Sequence, residues 1–322
     1  MLSRVADAIY WMGRYVERAE NIARCLDVTL SLMLDTPFEA HGDQWQALIS
    51  TTGDREEFFK SYDTPDPASV VRFTSLDRAH PNSIVSCLAN ARENARSVRE
   101  VISREQWESL NRFYRMIDGA QLDPQDIAGL SGFYASVRQQ AALFQGLSDS
   151  VWSHDEGWHF MRLGTAIERA DQTSRILDVK YFLLLPTNSH INSAYDLVQW
   201  SALLSSASAA QMYRQRYHVT SPRHVCEFLI FDNAFPRSIR HCIDRANSAL
   251  HAISGNPIGY GGYESERLLG RLRSHLAYGT VDDVFGRGLH EYIDDVQGAL
   301  IRVSASIAED FFSGRSRSGV NS

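Results

Sequence analysis

Residues 13–28 read GRYVERAENIARCLDV, and residues 164–179 read GTAIERADQTSRILDV. Eight of the sixteen aligned positions are identical, charged residues among them as often as apolar ones, and Glu20 is answered by Asp171. Met12, Ala19, Ile22, Ala23, Leu26 and Leu30 recur at three- and four-residue spacing, which predicts a helix with one apolar stripe. At 100° per residue Gly13, Glu17, Glu20, Asn21, Arg24 and Asp27 fall within roughly a third of the circumference, opposite that stripe. Gly164, Glu168, Asp171, Gln172, Arg175 and Asp178 take the same arc in the second copy. Two solvated faces carrying ordinary i,i+4 ion pairs are one reading; because exposed polar faces drift freely, a polar face kept twice points instead to two helices whose charged sides meet. Glu17 and Glu168 would then lie near a pseudo-two-fold axis, where the glycines permit close approach.

A second block follows each copy. Residues 73–87 read FTSLDRAHPNSIVSC, and residues 228–242 read FLIFDNAFPRSIRHC. Asp77, Pro81 and Ser83, like Asp232, Pro236 and Ser238, predict a helix start with Pro in the first turn and Asp or Ser as cap. Arg237, beside Ser238 at that start, is placed to receive an anion. The copies are too far apart for a solenoid and predict a duplication. The expected fold is all-α: a duplicated helical bundle over residues 1–312, with pseudo-symmetric halves of about 1–149 and 150–312 sharing one core. The Gly/Ser-rich tail 313–322 is expected to be disordered.

Breakers at 35–43, 62–67, 119–124, 186–192 and 254–262 separate the helices. Ile84, Leu88, Ala91, Ala95, Val98 and Ile102 form a second stripe, and Leu197, Trp200, Leu203, Leu204 and Ala207 a third. A last helix is expected from Val281 to Phe312, interrupted near Gly286 and Gly288. The run VKYFLLL at 179–185 continues the preceding helix without a breaker. Asp155-Glu156-Gly157-Trp158 gives that helix an acidic first turn. On the stripe from Ile84, Glu93 and Asn94 add polar groups whose counterparts are Ser248 and Ala249, an asymmetry that fits one working polar site with a degenerate partner and equally fits drift of an exposed surface.

The 322 residues carry a net charge of −7 with no basic cluster, which argues against a nucleic-acid partner. No apolar run approaches the ~18 residues that would cross a bilayer. Charges at Arg4, Asp7, Arg14 and Glu17 leave no signal-peptide core. Cys25, Cys87, Cys226 and Cys242 show no CxxC spacing and read as reduced, packed thiols, so a cytoplasmic location is expected. There is no P-loop, GxGxxG or HExxH motif, and no local hydrolase signature. The i,i+3 carboxylates resemble those of di-metal bundles, but no His follows at the required position and Arg24 and Arg175 repel cations. Neither metal nor cofactor is expected.

The stretches GRYVERAENIAR, SIVSCLANARENARSVRE, DEGWHFMRLGTAIERAD and FPRSIRHC together resemble the bacterial alpha-E domain family, an all-helical family with a Glu-Arg signature. The resemblance runs from Leu2 to Phe312 and places that signature at Glu17-Arg18 and Glu168-Arg169. It implies work beside a circularly permuted ATP-grasp ligase, here a separate polypeptide. Transglutaminase-like and proteasome-like peptidases are implied as neighbours, in peptide or amide-bond synthesis and turnover. The expectation is therefore an accessory or substrate-binding protein. Arg24 or Arg175 would hold the carboxylate of a peptide or amino-acid ligand, and Glu17 or Glu168 its ammonium. Two alternatives stand beside it. One is an enzyme in which burial raises one of these carboxylates to act as general base. The other is a structural module whose charges form a buried network.

Overall fold

A computed structural model describes residues 1–35, 41–184 and 194–313, without the side chains of 34–43 and 179–196. Among the described residues every regular element is helical and there is no strand. Two long helices are its axis: α1 (Ser3–Asp35) and, after six shorter helices, α8 (Glu156–Leu184). They run in the same direction, since Tyr10 meets Gly164 near their starts and Glu17 meets Arg169 further along.

In the first half α2 (His41–Thr52), α3 (Arg55–Ser61) and α4 (Pro67–Val71) lead through a π-helical turn to α5 (Ile84–Ser97), α6 (Arg104–Asp118) and α7 (Ile127–Val151). In the second, α9 (Ala194–Ser206), α10 (Ala210–Arg216) and α11 (Pro222–Phe231) lead to α12 (Ile239–Ser254), α13 (Glu264–Tyr278), α14 (Val281–Arg287) and α15 (Leu289–Ile307). The packing follows one plan twice. α5, α6 and α7 close a four-helix unit on α1, and α12, α13 and α15 close one on α8. α2 crosses over to α8, and α9 crosses over to α1. One continuous core results, in which Met12, Ala19, Ala23 and Leu26 of the first stripe are fully buried. Each Leu, Ile or Phe so buried contributes about 1.5–3 kcal/mol.

Ser83 caps α5 by accepting from the Ser86 N–H at 3.2 Å, and Ser238 caps α12 by accepting from the His241 N–H at 3.1 Å. Pro81 and Pro236 lie in the turns before these caps and not in the first helical turn as expected. Asp77 and Asp232 tie those turns, each accepting backbone N–H bonds within the turn. The stripe from Ile84 outruns its helix: α5 ends at Ser97, and a turn carries Val98 and Ile102 into the core. Leu197 is exposed, while Trp200, Leu203 and Leu204 of the same stripe are buried. The last helix breaks at Gly288, where φ is +108°, and Gly286 stays helical. The VKYFLLL run is helical through Leu184. The expected tail from 314 and the breaker at 186–192 lie outside the described residues.

Candidate functional site

The charged arcs of α1 and α8 face each other across the axis. A Cβ on Gly13 would lie 2.7 Å from the Met161 carbonyl oxygen, and one on Gly164 would fall on the Tyr10 carbonyl oxygen, so only glycine allows this approach. Just beyond the crossing the two Glu-Arg pairs clasp reciprocally. Arg18 donates from Nε to Glu168 Oε1 at 2.7 Å and from Nη2 to Oε2 at 3.0 Å. Arg169 donates from Nε to Glu17 Oε1 at 2.9 Å and from Nη2 to Oε2 at 2.7 Å. Both are two-point fork contacts, the strongest geometry available to an arginine and a carboxylate.

Further donors fill what remains. Glu168 also accepts from Arg14 Nε at 2.9 Å and Gln172 Nε2 at 3.2 Å. Glu17 also accepts from Arg237 Nη1 at 2.9 Å, Gln145 Nε2 at 2.9 Å and Asn21 Nδ2 at 3.3 Å. A carboxylate offers about four lone-pair positions, so both are saturated by the protein itself. Both side chains are 0% exposed. Burial pushes their pKa values up, but Arg169 and Arg237 at Glu17, and Arg18 and Arg14 at Glu168, outweigh it and hold both well below the ordinary carboxylate range. The general-base alternative needs a carboxylate raised by burial, and the arginines reverse that direction. Holding a ligand's ammonium needs an open oxygen, which neither glutamate has.

Arg237, expected to receive an anion at the start of its helix, reaches across to α1 instead. Its Nη2 donates to both Glu20 oxygens at 2.8 Å, and its Nη1 donates to Asn21 Oδ1 at 3.1 Å. Arg24 pairs with Glu20, and among the described residues its buried Nε has no hydrogen-bond partner. Burial, and then the Arg237 charge, push Arg24 down to about 10. Across the axis Asp171 pairs with Arg175 Nε at 2.8 Å. Ser238, the cap of α12, donates to the Asp232 carbonyl and stays outside the charged cluster. Asp27 binds α7 through Ser131 and Arg138, and Asp178 binds His290 of α15 at 2.6 Å. Glu93 is exposed and pairs with Arg92 and Arg96 of its own helix, while the neighbouring Asn94 is half-buried.

Five participants escaped the sequence reading. Arg14 sits inside the repeat, but its counterpart is Thr165, and Gln145 lies on α7 outside both blocks. Asn82, the counterpart of Arg237, accepts from Arg18 Nη1 at 2.6 Å and donates to Asp54 Oδ1 at 2.8 Å. Asp54 lies 3.4 Å from Nε2 of the buried His80. Burial pushes Asp54 up, but hydrogen bonds from His80 and Asn82 hold it below the ordinary range. Aligning Asn82 with Arg237 would have pointed to the first of this trio. No signal in the sequence marks Asp54. A cavity of about 90 Å³ opens here, with Asp54, Asn82, Asp171, Gln172, Thr52 and Arg175 around it. Among the described residues no group of three His, Cys, Asp or Glu side chains is placed to hold a metal ion. No described helix is long and apolar enough to cross a membrane.

The model of the Alpha-E family, a predicted alpha-helical domain with a conserved ER motif, matches residues 1–312. Uncharacterised proteins of Mycobacterium bovis and of Mycobacterium tuberculosis are 26% identical to the chain over 291 residues, covering 85% of it and 32% of each relative. The chain thus spans about a third of the length of these curated relatives. No solved structure matches it.

Proposed function

The chain belongs to the Alpha-E family, and we propose that it is a binding or accessory protein that presents a peptide or amino-acid substrate to a separate, circularly permuted ATP-grasp ligase. The ligase and its amide chemistry come from the family resemblance. The observation that carries the non-catalytic role is the saturation of Glu17 and Glu168. A general base must offer a lone pair to the proton it takes, with a pKa near the working pH. These carboxylates offer neither, because two arginines each hold them ionised and occupied. What the seam supplies is rigidity: two long helices locked at one crossing, with a half-buried polar cavity at its edge. Relatives three times as long, in which the matching region is one part among others, fit a module that works beside other domains. Transglutaminase-like and proteasome-like peptidases are further partners in this reading. Four buried thiols suit a reducing, cytoplasmic setting.

The test is a mixing experiment with the cognate ATP-grasp protein. The chain alone should neither hydrolyse ATP nor ligate peptides. Added to the ligase it should co-elute with it and change its rate or product profile. Turnover of an amide substrate by the purified chain alone, abolished by Glu17→Gln with the fold intact, would overturn the proposal.

A further inference from the structure

The two sides of the seam differ where Asn82 answers Arg237, and the difference leaves a hole. Asn82 and Arg237 occupy equivalent places, each just before the serine that caps α5 or α12. Their loops are tied alike: Ser83 Oγ donates to the Asp77 carbonyl and Ser238 Oγ to the Asp232 carbonyl. The thiols of Cys87 and Cys242 each donate into the loop before the cap, to the Asn82 carbonyl and, one position earlier in the alignment, to the Pro236 carbonyl, both at 3.5 Å. On one side the long Arg237 side chain drives its guanidinium between Glu20 and Asn21. On the other the short Asn82 stops early, and the cavity of about 90 Å³ lies beyond it.

Two of the three residues that accept from Arg237, Glu20 and Asn21, have counterparts in that cavity. Asp171 stands for Glu20 and Gln172 for Asn21. Asp171 gives only its Oδ2, to Arg175, and Gln172 gives only its amide nitrogen, to Glu168. Among the described residues no donor reaches Asp171 Oδ1 or Gln172 Oε1. Asp54 adds a second carboxylate to the same wall, where Arg18 and Arg175, each already paired with Glu168 or Asp171, supply the two arginines. Charge points the same way. Glu17 and Glu20 face Arg24, Arg169 and Arg237, a surplus of one positive charge. Across the axis Glu168, Asp171 and Asp54 face Arg14, Arg18 and Arg175, with no surplus while His80, beside Asp54, is neutral. One added cation makes the two sides equal. At about 30 Å³ per water molecule the space corresponds to three waters, enough for a guanidinium and an attached methylene.

We infer that this cavity binds the guanidinium group of a ligand in the place that Arg237 fills on the other side, donating to Gln172 Oε1 and Asp171 Oδ1. The inference rests on the reading of the chain as a binding protein and names the class of group it takes: an arginine side chain of a peptide, or a free arginine-derived amine. Arg175 keeps its bond to Asp171, as Arg24 keeps its bond to Glu20 beside Arg237.

The experiment is calorimetric titration of the isolated chain with agmatine, and separately with a blocked Gly-Arg-Gly peptide, at constant ionic strength. Binding of either supports the site, and binding of the peptide alone identifies a polypeptide side chain as its source. Asp171→Asn should weaken binding about tenfold or more, the loss expected when a charged partner is removed from a hydrogen bond. Asn82→Arg should fill the cavity from within, abolish binding and raise the melting temperature. No heat with either probe, or equal affinity in wild type and Asp171→Asn, would overturn the inference. A response to acetate or phosphate instead would overturn it too, by assigning the cavity to Arg175 and an anion. No ligase is present in this titration, so its failure leaves the partnership with the ligase to be judged on the mixing experiment alone.

Discussion

Replacing Glu168 by glutamine tests whether the clasp is built as described. The substitution keeps size and shape, removes the charge, and turns one acceptor into an NH₂ group facing Arg14 and Arg18. Two arginines then lose their shared counter-charge within the helix interface. Breaking a buried ion pair from one side costs about 3–5 kcal/mol. For a chain of this size 1 kcal/mol shifts the melting temperature by about 2 °C, so a fall of about 6–10 °C is expected at pH 7. The pH dependence sharpens the test. The folded pKa of Glu168 lies far below its unfolded value near 4.5. Its contribution is therefore complete above that value and is lost as the pH falls from there toward the folded pKa. Glutamine does not titrate, so the gap between wild type and Glu168→Gln should be widest near neutrality and should close steadily below about pH 4.5. The assay is a set of thermal melts of both proteins from pH 7 to pH 3, followed by far-UV circular dichroism. A gap of less than about 1 kcal/mol at pH 7, or one that does not narrow on acidification, would refute the account of Glu168 as a buried, ionised, doubly paired carboxylate.

Two other expectations follow from the packing. Gly164→Ala sets a methyl group on the Tyr10 carbonyl and should lower the melting temperature markedly, whereas Gly146→Ala on α7 meets nothing within 4 Å and should be neutral or gain up to about 1 kcal/mol of helix propensity; equal effects at the two sites would contradict the close crossing. Burial pushes the Cys25 thiol up to about 11 and those of Cys87, Cys226 and Cys242 up to about 12. Since the thiolate is the reactive form, a chromogenic disulfide should find almost no thiol in the native protein and four after denaturation; rapid native labelling of any one would place that cysteine at the surface.

The fold was readable where spacing alone decided it. The stripe from Met12 to Leu30 is buried as its periodicity predicts, and the glycines sit at the crossing because nothing larger fits there. The meeting of charged faces was readable because two arcs matched, and a matched polar face has a reason to exist that a solvated one lacks. Pairing across the seam was not readable. Periodicity places Glu20 and Arg24 on one arc, yet it does not say that Arg237, more than two hundred residues on, completes Glu20. Glu93 and Asn94 show the opposite failure. A polar residue that differs from its counterpart is as easily a drifting surface position as a working one, and exposed Glu93 pairs only within its own helix. The breaks at Ser97 and Ser206 were missed because apolar spacing continues through a turn when the turn itself is packed.

Buried ion pairs are weak stabilisers, since an apolar seam of the same volume would serve stability as well. What this clasp adds is register. A seam without these charges would present less to stop one helix from sliding on the other by a turn, about 5.4 Å. Sliding in one sense would carry Arg169 against Arg14 and leave Glu17 facing Thr173. Sliding in the other would set Arg18 against Thr165 and Arg169 against Ile22. Each slipped arrangement buries unpaired charge, and only the observed one satisfies both forks together. Because α2 crosses onto α8 and α9 onto α1, the same register also sets how each half covers the other. It brings Asn82 and Asp54 of the first half to the cavity wall beside Asp171 and Gln172 of the second. In the proposed function the reciprocal Glu-Arg pairs thus act through geometry. Fully consumed in holding two helices at one offset, they leave the proposed binding to the asymmetric edge, where a short asparagine stands in place of a long arginine.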